Sequence, residues 1–207
     1  MRRAFTLAEV LITLGIIGIV AALTMPALIA SHQKKVTAVR LQKFYTVMSQ
    51  AVLRWEAEDA IDADSFQFDD SVVRNGENSM NWFNSTIGKY IQQDSIINSS
   101  NKPAYFDTKF VDGSGFVAYV SSKENMHLFY CVEYKYCSLE NYDGRHTFLF
   151  SFVNGKFIPS TSSHIIKTRS QLLDECKNPT SGMNTARHAC TRLIQVDGWT
   201  ISKDYPW

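Results

Sequence analysis

Cysteine is absent from the first 130 residues, so no lipoprotein anchor can be attached there, because such an anchor needs a cysteine at its processing point. Glycine and proline are scarce, 10 and 5 among 207 residues, and no internal repeat or low-complexity tract interrupts the chain. A surplus of either charge is missing as well. Lys plus Arg is 21 against 20 for Asp plus Glu, a formal net charge of +1. Wrapping a polyphosphate needs a basic surplus to neutralise backbone charge, so nucleic acid is not an expected partner. Hydrophobic residues at 45% against charged residues at 20% exclude wholesale disorder. Catalytic signatures are missing too: there is no G-x-S-x-G, no P-loop, no H-E-x-x-H and no dinucleotide glycine fingerprint. Asp112-Gly113-Ser114-Gly115 reads as a turn whose serine has no base in sight. The expectation is a protein that is not an enzyme and needs no cofactor or metal.

What is present is a long apolar run near the start. Phe5 to Ala30 is 26 residues, 19 of them apolar, with one formal charge, Glu9. The uncharged stretch Val10 to Ala30 is 21 residues. At about 1.5 Å per helical residue that gives roughly 31 Å, the hydrocarbon thickness of a bilayer. The mean hydropathy of -0.16 therefore averages two unlike parts, one membrane span and an ordinary head with no second span. A cleaved secretory signal fits poorly, since its apolar stretch is about 7–15 residues and ends at a cut site. Here the run is longer and continues into the helix-compatible Ser31-His32-Gln33-Lys34-Lys35-Val36. A plain signal anchor stays open, with Arg2 and Arg3 held in the cytoplasm by the positive-inside rule. None of these explains Glu9. A carboxylate at the bilayer centre costs about 2.5–3.5 kcal/mol on insertion, so it either snorkels to the headgroups or has a partner or a task.

Ala4-Phe5-Thr6-Leu7-Ala8-Glu9-Val10-Leu11-Ile12 resembles the N-terminal processing signature of type IV pilins and type II secretion pseudopilins. The resemblance implies that Met1-Arg2-Arg3-Ala4 is a leader, clipped on the cytoplasmic side between Ala4 and Phe5. It implies that Phe5 becomes the N-methylated first residue and that Glu9 is the glutamate at the fifth position of the mature chain. Pro26 falls where these helices commonly carry a proline, the position of an expected kink. The residue before the cut is usually Gly in the family, and Ala4 departs from that while remaining small. The likeness covers Ala4 to Ile29. Its implied partners are a prepilin peptidase/N-methyltransferase, identical or homologous pilin subunits, an inner-membrane assembly platform and membrane lipid. The implied location is the bacterial inner membrane, in a single pass, and afterwards a periplasmic or extracellular fibre.

The physics of the segment agrees. A cut before Phe5 exposes an α-amine at the end of an apolar helix, and Glu9 lies four residues along, about one turn, on the same side. Within one chain the pair is poorly placed to meet. Between chains staggered along a fibre, one subunit's amine can reach the next subunit's carboxylate. Unpaired buried charges are expensive, so this pairing favours one axial register over the others. Loss of Arg2 and Arg3 takes the side-chain sum from +1 to -1, still near neutral.

The helix is expected to continue to about residue 59. Ser31 to Asp59 holds no Pro or Gly, and Phe44, Met48, Ala51 and Trp55 form an i, i+4, i+7, i+11 stripe that faces a core. Ile61 to Gly76 reads as an acidic loop, with Asp62, Asp64, Asp69 and Asp70 but no EF-hand spacing. A second helix is expected from about Ser79, a candidate cap, to Gln92, followed by a polar connector from Asp94 to Lys102. Strands are expected at 115–120, 126–132 and 146–153, and the Asn154-Gly155 pair between apolar runs marks a hairpin into Lys156-Phe157-Ile158. A short helix around Ala186, Cys190, Leu193 and Ile194 should stop at Asp197-Gly198, with an edge strand at 198–201 and a packed aromatic C-terminus.

All four cysteines lie beyond the apolar segment, in a region expected outside the cytoplasm, which favours disulfides. Three connectivities are possible. Cys131 with Cys137 and Cys176 with Cys190 are the candidates because both are local, and type IV pilins often close such a loop near the C-terminus. His127, His146 and His188 are near these cysteines in sequence, but C-x5-C and C-x13-C fit no zinc template well. The reading is an α+β protein: leader 1–4, transmembrane and assembly helix 5–30, and a pilin-like head 31–207 with a three- or four-stranded antiparallel sheet packed on the long helix. Its expected role is a structural subunit of a type IV pilus or a type II secretion pseudopilus. The alternative is a single-span membrane protein whose head binds a ligand or partner and never polymerises.

Overall fold

An α-helix of 53 residues, α1 (Leu7–Asp59), runs without interruption through Pro26. The computed structural model describes residues 6–62, 65–93, 95–98, 102–137, 143–160, 166–178 and 187–207. The chain falls into two compact units, Met1–Val36 and Thr37–Trp207. Between Val10 and Ala30 of the first unit α1 carries apolar side chains on every side. In the second it is amphipathic, and Leu41, Phe44, Met48, Ala51, Val52 and Trp55 are buried. That is the expected stripe. The helix closes at Ala60, whose φ of 50° lets the Ile61 amide reach back to the Glu56 carbonyl at 3.1 Å and so satisfies a terminal acceptor.

The head is α+β. A six-stranded antiparallel meander, β1 (Ser95–Asn98), β2 (Phe106–Lys109), β3 (Gly115–Ser122), β4 (Asn125–Cys131), β5 (Thr147–Val153) and β6 (Lys156–Pro159), pairs in sequence order. Two strands more than the upper expectation are present. β1 lies in the supposed polar connector, and β2 is the alternating Phe106-Asp107-Thr108-Lys109, of which Phe106 and Thr108 are buried. The β5–β6 turn is Asn154-Gly155 with φ of 47° and 71°, the left-handed pair that a two-residue type I′ hairpin requires.

Aromatic rings fill the space between the stripe of α1 and the sheet. Phe44 stacks on Tyr130 at 4.2 Å and meets Phe150 edge-on at 5.1 Å. Trp55 meets Phe66 at 5.0 Å and Trp82 at 5.7 Å, both edge-on. Such pairs add about 0.5–1.5 kcal/mol each beyond the area they bury. The opposite face of the sheet holds a small second cluster of Phe129 and Leu149, packed by Tyr119.

Two helices differ from expectation, and one expected edge strand is absent. Helix α2 (Gly76–Ser85) begins earlier, because Asn75 rather than Ser79 is the cap and accepts the Asn78 amide at 3.1 Å. It breaks at Thr86 and resumes as a 3₁₀ turn, Ile87–Tyr90. Helix α3 (Arg169–Lys177) was not anticipated at all. It is set by a capping box in which Thr168 and Gln171 exchange bonds. Helix α4 (Cys190–Val196) stops where expected. There Gly198 and Trp199 take φ of 68° and 57°, and the Trp199 amide closes on the Ile194 carbonyl at 2.8 Å, which leaves no strand at 198–201.

Candidate functional site

The first unit is the segment with the sharpest sequence signature. The apolar stretch of α1 is long enough to cross a bilayer, and none of it is buried within the chain. Leu7, Leu23 and Leu28 are 80%, 76% and 71% exposed. A helix apolar all round is stable only inside something else, lipid or other protein. Its few polar side chains are turned inward on the helix: the Thr13 hydroxyl donates to the Val10 carbonyl and the Thr24 hydroxyl to the Val20 carbonyl, both at 2.9 Å. Pro26 has no amide to give to the Ala22 carbonyl, yet the helix continues across it.

Glu9 has a local partner that the sequence reading missed. Its Oε2 accepts the Thr6 amide at 2.9 Å and the Thr6 hydroxyl at 2.8 Å, while the Glu9 amide donates to the Thr6 hydroxyl oxygen at 3.3 Å. Thr6-x-x-Glu9 is a capping box, legible as the pattern S/T-x-x-E. It supplies acceptors to orphan amides of the first turn and engages one carboxylate oxygen. Among the described residues no hydrogen bond engages the other. Ala4 and Phe5, the expected cleavage and methylation positions, lie outside the described residues, as do Arg2 and Arg3.

In the head, the four cysteines form two pairs at disulfide-bonding distance, Cys131 with Cys137 (Cα atoms 5.2 Å apart) and Cys176 with Cys190 (4.8 Å). The second pair ties α3 to α4. Beside it Gly144, with φ of 70°, lies so close that a Cβ would fall 2.6 Å from Cys190 Sγ and 2.9 Å from the Tyr205 hydroxyl. Only glycine fits there. Tyr205 is buried, donates its hydroxyl to the Gly144 carbonyl, and has that hydroxyl pushed up by burial. Arg169 gathers the tail: its guanidinium holds Asp197 at 2.5 and 2.7 Å and Asp204 at 2.9 and 3.0 Å. Those hydrogen bonds raise Arg169 above its ordinary value and hold the Asp204 carboxyl well below the carboxylate range. The aromatic C-terminus is packed, as expected.

Carboxylates elsewhere are committed to local work. Burial favours the neutral form of Asp112, but the Ser114 hydroxyl at 2.6 Å, the Lys43 ammonium at 2.9 Å and the Ser114 amide at 3.1 Å hold it down at about 2. Burial works the same way on Asp143, and the amides of His146, Arg145 and Thr147 outweigh it. In the acidic loop, Asp62 bonds Ser65, Asp69 caps the Ser71 amide and Asp70 pairs with Lys123, so these three do not converge; Asp64 lies outside the described residues. Among the described residues no group of three or more His, Cys, Asp or Glu side chains is placed to hold a metal ion.

An uncovered apolar helix with a self-capped glutamate near its start, joined to an α+β head, is the make-up of a type IV pilin-like precursor. Residues 1–25 match the family model described as the prokaryotic N-terminal methylation motif. That motif is the cleavage segment of type IV pilin-type and pseudopilin-type precursors, and it implies processing by a prepilin peptidase and assembly with pilin subunits in general. Residues 27–207 match the model described as Family of unknown function (DUF6613), and the chain belongs to that family. No curated protein and no solved structure matches the chain.

Proposed function

We propose that the protein is a non-enzymatic structural subunit of a type IV pilus or a type II secretion pseudopilus. It waits in the bacterial inner membrane as a single-span precursor, is cut between Ala4 and Phe5, is methylated on the new Phe5 amine and polymerises through α1. The observation that carries this reading is the methylation motif on a helix whose large apolar side chains are uncovered within the chain. Lipid covers those side chains before assembly and the helices of other subunits cover them afterwards. Little apolar surface changes its exposure on the way, so transfer from bilayer to fibre is not opposed by the hydrophobic effect. Specificity then has to come from polar groups. Glu9 supplies it, through the carboxylate oxygen that Thr6 does not occupy, by pairing with the Phe5 amine of a neighbouring subunit. Mass spectrometry of the protein isolated from cell envelopes tests the reading. A mature N-terminus at Phe5 carrying one added methyl group is the expected result. A chain still beginning at Met1 or Arg2 would sink it in favour of a permanent single-span anchor.

A further inference from the structure

The charges along the head's part of α1 are sorted by sign. From Thr37 to Trp55 it carries Arg40, Lys43 and Arg54 and no acid. From Glu56 to Val73 the chain carries acids and no Lys or Arg. Most of these groups have partners nearby. Lys43 pairs with Asp112, Asp59 with Lys89 and Asp70 with Lys123, while Tyr90 donates its hydroxyl to Glu58. Arg40 and Glu56 lack an ionic partner. Arg40 gives an N–H to the Val132 carbonyl, and Glu133, an acid that feels its charge, is held by Lys135 at 2.7 Å. Among the described residues no carboxylate lies within ion-pair distance of Arg40, and no cation within that distance of Glu56. One residue before Arg40, Val39 is 64% exposed, and three before Glu56, Leu53 is 62% exposed. Each unpaired charge therefore has an uncovered apolar neighbour on the surface of the helix.

We infer that these two patches bind each other between copies of the chain: Arg40 and Val39 of one head meet Glu56 and Leu53 of the next. Arg40 and Glu56 are 16 residues apart on one helix. That places them about 24 Å apart along its axis and about 160° apart around it, so they look to nearly opposite sides. Two parallel copies offset by about 24 Å bring Arg40 level with the other copy's Glu56. The same offset brings Val39 level with the other copy's Leu53 to within about 3 Å. Around the axis, the turn from Val39 to Arg40 and the turn from Leu53 to Glu56 run in opposite senses. Two faces that meet need that relation, so both pairs form at once. With no offset, each charge would face its own kind and repel. A contact between two different patches does not close on itself, and repeated it gives a filament. The inference rests on the polymerising subunit proposed above, in which all copies leave one membrane in one orientation. The Glu9–Phe5 contact needs an offset of about one helical turn, so the head patches join a different neighbour.

Charge exchange in cells expressing the full chain tests this, with fibre yield read per unit of correctly cut protein. R40E and E56R should each cut the yield about tenfold, and R40E/E56R should restore most of it, since the pair is then rebuilt with its signs exchanged. R54E, at a cation outside the two patches, should leave the yield unchanged. A double variant no better than the worse single one would overturn the inference, as would an equal loss in R54E. Because R40E gives up the bond to Val132 and can disturb the head, a second measurement uses exposed positions alone. V39C/L53C fibres treated with a short thiol-reactive cross-linker should give a ladder of covalent multimers, while V39C and L53C separately should stay monomeric. Dimers from either single variant would mean that the heads pack without an offset and would overturn the inference. So would intact V39C/L53C fibres that yield no ladder, or cross-links to other proteins alone. In those cases the fibre itself stands, and with it the pilus reading. A chain that is never cut and forms no fibre removes both.

Discussion

The two stretches of α1 use similar apolar residues and have opposite relations to the chain that contains them. Between Leu7 and Ile29 the large side chains point in all directions, and most are more than half exposed. From Thr37 to Trp55 the apolar residues keep to one stripe, and that stripe is buried among the aromatic rings of the head. Hydrophobicity alone does not separate the two. The angular distribution does: a stripe can be satisfied by one sheet, whereas an apolar cylinder needs surroundings on every side. The head therefore stores its stability internally. The first unit has stability only on loan from lipid or from other subunits.

Substitutions can break that contrast. The largest effect is expected from Phe44→Ala, which removes a buried ring from between Tyr130 and Phe150 and should cost the head about 3–5 kcal/mol, read as a fall in its melting temperature. Leu14→Ala, at an uncovered position of the same helix, should leave that melting temperature unchanged. An equal fall in both would mean that the first unit is part of the head's cooperative core. Next in size is the Cys176–Cys190 pair. Reduction should lower the head's stability by about 3 kcal/mol for a loop of about 15 residues, and thiol titration of protein purified under air should find no free cysteine. Bound zinc with four free thiols would refute that pairing.

The smallest effect sharpens the electrostatics. Asp112 is held at about 2 in the folded head, below its ordinary value of 3.8. Its contribution is thus fully present above about pH 4 and is lost as pH falls toward 2. The carboxylate is 36% and its Lys43 partner 62% exposed, so solvent screening limits the gain to about 1 kcal/mol or less. Asp112→Asn should destabilise the head by that amount at neutral pH and by progressively less as pH falls through about 2. A penalty that persists in acid would show that the charge is not what Asp112 contributes.

Legibility followed the range of the interactions. The stripe Phe44, Met48, Ala51 and Trp55 could be read because helical period and burial coincide, and the Asn154-Gly155 hairpin because its turn demands left-handed residues. β1 and β2 were missed because each is four residues long and at least half polar, so alternation is too brief to stand out. α3 was missed because only Leu172 and Cys176 of its nine residues are buried; what fixes it is a cap and a clamp. That clamp joins Arg169 to Asp197 and Asp204, 28 and 35 residues away, and Gly144 is constrained by Cys190 and Tyr205, and neither relation leaves a local trace. The Thr6–Glu9 box is legible from its S/T-x-x-E spacing alone, because both partners lie within one helical turn.

That box makes Glu9→Gln the decisive substitution. Glutamine still accepts hydrogen bonds from Thr6 and serves equally in a capping box, so the start of the helix is preserved while the negative charge is removed. If the charge pairs with a neighbouring Phe5 amine, each subunit contact in the variant keeps an unpaired buried ammonium. Breaking one side of such a pair costs about 3–5 kcal/mol, at least two orders of magnitude in an assembly equilibrium. The measurement is fibre yield per unit of membrane-inserted, correctly cut protein in cells expressing Glu9→Gln. Normal insertion and a Phe5 N-terminus with few or no fibres is the predicted result. Fibres at wild-type abundance would contradict it and leave Glu9 with no more than the local capping role seen in the single chain.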